Sequence, residues 1–272
     1  MDQATYQGIA LDADTALALL DWQLEMGCDV PMTDAPIDRF DLPARVAPTA
    51  PPLVLEAPSL GAATEPDDLA ARLAEAGALA AAAGDLAALA AAQEGFDGIE
   101  LKKGARNFCF ADGNPAARVL ILGEAPGDEE DRQGRPFVGR AGQMLDRMFS
   151  AIGLARDAVD AERAVYITNV LTWRPPGNRD PSPDEIAVSL PFLRRHIELA
   201  QPDLIVLMGN IACQAAIEKR GILRLRGQWV QAFGRPALPM THPAYLLRNP
   251  AAKRDAWGDL LSLQERLESL SV

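Results

Sequence analysis

Residues 119–139 read VLILGEAPGDEEDRQGRPFVG. The run Val119-Leu120-Ile121-Leu122 is short, apolar and bounded by turn formers, which predicts a buried strand. A helix is predicted from Ala141, so residues 123–139 form a strand-to-helix loop at the carboxyl end of a strand. That is the edge at which open α/β sheets bind ligands. Glycine lets a backbone come close to a flat ligand, and proline fixes the turn. Phe137 stands between Pro136 and Val138 in a loop that would otherwise expose it. A solvated acidic loop is the plainer reading, and it leaves Phe137 unexplained.

Outward from this stretch, apolar runs alternate with helical patterns. Strands are expected at residues 118–123, 164–170, 204–208 and 237–240. Helices are expected at 141–152, 183–199, 211–219 and 253–270. Such alternation implies a mainly parallel sheet covered by helices on both faces. Each strand ends in a polar cluster, and in a parallel sheet those ends share one edge. Glu124, Asn169 and His242 are therefore expected to converge although they are far apart in sequence. The second histidine, His196, falls in the helix expected at 183–199 and reads as a surface or packing residue.

The 272 residues can hold one domain with an appendage, or two small domains. No apolar run is long enough to span a bilayer, and no signal peptide is visible, so the expected setting is the cytoplasm, at the nucleoid. Cys28, Cys109 and Cys213 are widely spaced and no CxxC occurs, which indicates neither a zinc site nor a disulfide framework. The net charge of -12 is unevenly placed: residues 1–95 hold 3 basic and 16 acidic side chains, against 23 and 22 in residues 96–272. Asymmetry of this kind argues for regions with different partners.

The first third divides into residues 1–30, an N-terminal helix over 11–26; residues 31–66, a linker rich in proline and alanine; and residues 67–95, an alanine-rich helical segment that Gly84-Asp85 splits in two. It reads as a helical appendage or an arm for a protein partner, without catalytic residues. Residues 96–272 carry the alternating pattern.

Three motifs, GEAPGDEEDRQGRPFVGRAG, VYITNVLTWRPPGNRDPSPDE and THPAYLLRNP, stand in this order and at spacings that closely resemble family 4 uracil-DNA glycosylases. The resemblance spans about Phe96 to Leu263. It implies a three-layer α/β/α sandwich with a short, mainly parallel central sheet, plus the N-terminal helical extension. The implied activity is that of a monofunctional, monomeric enzyme that flips uracil out of single- or double-stranded DNA and leaves an abasic site. A different class remains open: a protein that binds uracil or abasic sites in DNA with little turnover.

By resemblance, Ala125, Glu130, Phe137 and Asn169 bind uracil. Phe137 is the stacking platform, Glu130 narrows the space beside C5, and Asn169 pairs with the base edge. An amide offers a donor to O4 and an acceptor to N3–H. The plainer reading of Asn169 is a cap on the following turn. His242 and Glu124 are implied as catalytic, His242 stabilising charge on uracil O2 and Glu124 orienting water or stabilising the deoxyribose cation. Asp128, Glu129 and Asp131 read as solvated. For gripping DNA, Leu246 and Leu247 are expected as an apolar wedge, and Arg174, Arg179, Arg248, Lys253 and Arg254 as phosphate contacts.

In one respect the chain departs from the family. Members typically hold an iron–sulfur cluster on four cysteines, and those positions are Phe96, Ile99, Trp173 and Ser189 here. A cluster needs its thiolates, so no cofactor is expected. Three of the four replacements are large and apolar, as needed to refill a cluster's volume with packed side chains.

Overall fold

The computed structural model describes residues 5–6, 9–10 and 66–270, and the chain divides into two units, Met1–Leu60 and Gly61–Val272. In the first unit β1 (Thr5–Tyr6) pairs antiparallel with β2 (Ile9–Ala10). The helix expected over residues 11–26, and the linker up to residue 65, lie outside the described residues.

The second unit opens with α1 (Pro66–Ala82) and α2 (Leu86–Gly95). Pro66 occupies the first turn of α1, where its missing N–H is no loss. The break expected at Gly84-Asp85 is present: Asp85 caps α2, its carboxylate accepting from the Ala88 N–H at 2.7 Å. After β3 (Asp112–Gly113) and β4 (Val119–Gly123) come α3 (Asp128–Gln133), α4 (Arg140–Ser150) and β5 (Val165–Asn169). Then follow α5 (Pro183–Ala200), β6 (Leu204–Met208), α6 (Asn210–Ile217) and α7 (Ile222–Leu225). The chain closes with β7 (Val230–Ala232), β8 (Arg235–Met240), α8 (Pro243–Arg248) and α9 (Lys253–Ser269).

The six strands of this unit lie in the order β3-β5-β4-β6-β8-β7. β5, β4, β6 and β8 are parallel, with Gly123 opposite Asn169 and Met208 opposite Met240. The edge strands β3 and β7 are antiparallel and were not visible as apolar runs. β3 has only two residues, and β7 carries an exposed Gln231. β7 joins β8 through Phe233 and Gly234, both at positive φ, the two-residue turn whose twist matches an antiparallel pair.

Every residue of β4, β5 and β6 is buried, as in a sheet with both faces covered. Alternation along each strand then builds two cores. Leu120, Leu122, Tyr166, Ile205 and Leu207 face one; Val119, Ile121, Val165, Ile167, Val206 and Met208 face the other. Helices α1, α2, α5 and α6 contribute to the first core, and α4, α8 and α9 to the second. The result is the expected α/β/α sandwich.

The alanine-rich helices α1 and α2 share the first core with the sheet. Ala76, Ala80, Ala83 and Leu89 are buried there beside Val188 and Phe192 of α5. Arg195 of α5 donates to the Ala83 carbonyl at 2.8 and 3.1 Å, satisfying a carbonyl at the end of α1. His196, also on α5, is buried: its Nε2 lies 2.8 Å from the Tyr166 hydroxyl and its ring stacks on Phe110. It is a packing residue, and burial pushes its pKa down to about 3.

Candidate active site

The carboxyl ends of the parallel strands open into a cavity of about 650 Å³. Its lining includes Glu124, Ala125, Glu130 and Phe137 from the first motif, and Thr241, His242, Tyr245 and Arg248 from the third. Gly209 and Asn210 after β6 complete one side. The sheet register thus brings together residues more than a hundred positions apart in the chain.

Phe137 is buried and adopts a left-handed backbone, φ 52°. That conformation costs a non-glycine residue roughly 1–2 kcal/mol and persists only where the surroundings enforce it. Three groups do so. The Glu130 carboxylate accepts from the Gly127, Val138 and Gly139 N–H groups at 3.1, 2.9 and 2.9 Å. Arg156 donates to the Phe137 carbonyl at 2.7 Å and to that of Pro136 at 3.2 Å, and is itself fixed by Asp112 and Asp146. Gly142 lets α4 pass directly beneath: a Cβ there would lie 1.8 Å from the Phe137 carbonyl oxygen.

Gly123 plays the corresponding part at the end of β4. A Cβ on it would fall 2.2 Å from Asn169 Oδ1 and 2.3 Å from the Phe137 ring. The amide of Asn169 and the face of Phe137 therefore meet over the bare Cα of Gly123. Asn169 does not line the open cavity; it lies behind the opening, 3% exposed, with a buried Oδ1 that has no hydrogen-bond partner.

His242 caps the N-terminus of α8. Its Nδ1 accepts from the Ala244 N–H at 3.2 Å, which leaves the proton of the neutral ring on Nε2. Burial, reinforced by the positive charge of Arg248, pushes its pKa down to about 4, so the ring is neutral near pH 7. It stacks against Phe137 with centroids 5.5 Å apart. Glu124 has its pKa raised, first by burial and then by Asp180, while Arg220 acts in the opposite sense.

Several expected residues stand elsewhere. Leu246 is fully buried in the second core, so it is not available as a surface wedge; Leu247, 36% exposed, is. The physical reason is helical phase: α8 turns Leu246 inward and Leu247 outward. Asp131, read as solvated, is buried and accepts from the Arg106 and Asn107 N–H groups at 2.8 and 3.2 Å. Arg174 is engaged by Asp128 at 2.7 Å and Asn178 at 2.8 Å, and Arg179 is held bidentate by Glu185. Arg248, Lys253 and Arg254 have no acidic partner among the described residues, and Arg248 alone of the three lines the cavity. Arg156, Gly142 and Arg220 went unremarked in the sequence. Nothing marks Arg156 or Arg220 there, whereas Gly142, five residues past Phe137, stands in the first motif.

Phe96, Ile99, Trp173 and Ser189 are all buried, the first three within one apolar core. Phe96 meets Phe192 with centroids 5.5 Å apart, and Trp173 meets Phe108 at 5.1 Å. Two hydrocarbon side chains, an indole and a hydroxyl do not fit an iron–sulfur cluster, which requires thiolates. Cys109 and Cys213 are separate buried thiols whose pKa burial pushes up to about 12. Among the described residues no helix is long and apolar enough to cross a membrane.

The model of the uracil DNA glycosylase superfamily matches residues 110–261. The type-4 uracil-DNA glycosylase of Thermotoga maritima is 41% identical over 146 residues, which is 53% of this chain and 73% of that protein. That of Archaeoglobus fulgidus is 37% identical over 175 residues, covering 61% and 85%. A type-5 uracil-DNA glycosylase of Pyrobaculum aerophilum is 32% identical over 49% of this chain and 64% of its own length. The matched span contains every residue that lines the cavity, and with it the chain belongs to the uracil DNA glycosylase superfamily, as a DNA glycosylase.

Proposed function

We propose that this protein is a monofunctional glycosylase that extrudes uracil from DNA and hydrolyses its N-glycosidic bond, leaving an abasic site for base-excision repair. The observation that carries this reading is the meeting of Phe137, Asn169 and His242 at one strand edge, with an unpartnered amide oxygen beside an aromatic face. A base inside a duplex is out of reach, so it must be turned out and read in a pocket. Phe137 offers it a flat surface. Asn169 Oδ1, lacking a partner, accepts N3–H while the amide donates to O4; cytosine presents the reverse pattern there.

As the glycosidic bond breaks, charge develops on uracil O2. The Nε2–H of neutral His242 is the donor for it, and its dry setting makes such a donor worth roughly 2.7–4 kcal/mol of the barrier. A neutral imidazole needs no proton from solvent and gives none to the leaving base. Glu124, half-buried and facing the cavity, holds the attacking water or steadies the positive charge on the sugar. Glu130 binds through the loop it ties rather than through a free carboxylate. Leu247 fills the gap left by the base, and Arg248, Lys253 and Arg254 hold phosphates. In this division residues 96–272 are the catalytic part, residues 67–95 brace it, and a monomer working at the nucleoid needs nothing from residues 1–66 for chemistry.

The test is a uracil-containing oligonucleotide incubated with the protein, treated with alkali and resolved on a gel. Cleavage at the uracil only after alkali is expected. Binding without cleavage replaces the reading with a non-catalytic one, and cleavage without alkali removes the monofunctional assignment.

A further inference from the structure

The cavity mouth has a charged pair of which Asp180 stands in the second motif and Arg220 in none of the three. Arg220 lies in the turn between α6 and α7 and lines the cavity; Asp180 lines it from the loop before α5. Their side chains face each other at 3.9 Å and are 55% and 81% exposed. Both loops are fastened from behind. Asn210 Oδ1 accepts from the Gly221 and Ile222 N–H groups at 3.0 and 2.9 Å, and Gly221, at φ 101°, takes a backbone that other residues rarely adopt. Across the opening, Arg179 is clamped on Glu185, whose other contact is the N–H of the helix cap Ser182. The loops that carry the two charges are thus fixed, while the contact between the exposed side chains is long.

An exposed pair of this kind contributes at most about 1 kcal/mol. A guanidinium binds phosphate through two parallel bonds, which an exposed carboxylate at 3.9 Å does not match. The lining sets Glu124, Glu130 and Asp180 against Arg179, Arg220 and Arg248, so a strand whose nucleotide enters the cavity must carry its phosphates past anionic groups and needs a cation beside them. Of the three arginines in the lining, Arg179 is clamped on Glu185, Arg248 has no acidic partner among the described residues, and Arg220 has the long contact to Asp180.

We propose that Arg220 binds the backbone phosphate next to the extruded nucleotide, and that Asp180 occupies it until DNA arrives. This rests on the uracil-excision reading for its substrate. Phosphate replaces the carboxylate, and Asp180 is released to solvent. The pair acts as a gate of modest cost: it lowers affinity for DNA in general and charges the mouth correctly for a strand that reaches it.

The experiment uses the full-length protein and a uracil-containing single-stranded oligonucleotide, with binding and single-turnover excision read side by side over a series of salt concentrations. Arg220→Gln is expected to weaken binding about tenfold at 0.1 M salt and to lower the slope of log K against log salt by about 0.7, the value for one phosphate contact on a single strand. Arg220→Lys should keep the slope. Asp180→Asn should tighten binding, and that gain should vanish when residue 220 is already glutamine. Both side chains are exposed, so the urea midpoints should match the unaltered protein. If both single variants weaken binding alike, or if Arg220→Gln leaves the salt slope unchanged, the pair is a structural brace and the proposal is overturned. A protein that binds but never excises removes the glycosylase reading instead, while the slope still decides the role of Arg220.

Discussion

The loop of residues 123–142 and the apolar cluster around Trp173 are both densely packed, yet different forces hold them. In the loop, a left-handed Phe137 is fixed by directional bonds from Arg156 and Glu130, and by two glycines where any Cβ would strike backbone or ring. Around Trp173, aromatic and aliphatic side chains fill space without a directional partner; Trp173 Nε1 and Ser189 Oγ are buried and unbonded. Packing of the second kind tolerates exchange among groups of similar volume. Geometry of the first kind does not, because the bonds specify positions. Phe96, Ile99 and Trp173 fill their space by shape alone, whereas Phe137 is set by named bonds on either side of it.

Variants can sharpen or break that contrast. Gly142→Ala should have the largest effect, since its Cβ would meet the Phe137 carbonyl oxygen at 1.8 Å. Moving the platform by about 1 Å should lower single-turnover excision roughly 100-fold or more. His242→Ala belongs to the same range, about 100- to 1000-fold, with binding to an uncleavable uracil analogue retained. Full activity in Gly142→Ala would show that the loop adapts as freely as the apolar cluster.

Asn169→Asp should come next. A carboxylate cannot donate to O4 and repels it when ionised, so uracil excision should fall at least tenfold, with cytosine gaining relative to uracil. Unchanged uracil excision would remove Asn169 from base reading. Arg156→Met should reduce excision by about tenfold through the loosened Phe137, and the effect should appear in the rate of the chemical step rather than in DNA affinity.

Acid should destabilise the fold through one histidine in each region, His242 against Phe137 and His196 against Phe110. His242 and His196 have folded pKa values lowered to about 4 and about 3 from an ordinary 6.5. The unfolded chain then binds protons first, so their stabilising contribution is complete above pH 6.5 and is lost as pH falls toward 4. The urea midpoint should drop between pH 7 and pH 5, before most carboxylates titrate. A flat midpoint over that window would mean that the rings open to solvent.

The smallest effect is expected at the apolar cluster. Trp173→Phe should lower the urea midpoint while excision per folded molecule stays within about twofold. Iron chelators and oxidants should leave excision unchanged, because Phe96, Ile99, Trp173 and Ser189 supply no thiolate. Loss of activity under either treatment would mean that the cluster region and the pocket are not separate in the way their bonding suggests.

The sequence by itself determined the sandwich. Strands buried on both faces read as apolar runs, helices as periodic patterns, and the order of polar strand ends placed Glu124, Asn169 and His242 on one edge. It also gives the residues, Phe96, Ile99, Trp173 and Ser189, that stand where the resemblance implies cysteines. Only the tertiary structure decided which polar groups are engaged and which are open. Leu246 and Leu247 are adjacent and alike in sequence, and helical phase alone puts one in the core and the other at the surface. Asp131 and Asp128 are both acids of one short helix, and only packing tells the buried acceptor from the partner of Arg174. Arg156 and Arg220 sit in loops without a pattern, so their roles arise from contacts with segments distant in the chain. Periodicity records burial because burial repeats with the local geometry of the backbone; a hydrogen bond across the fold repeats with nothing, and only the folded chain can assign it.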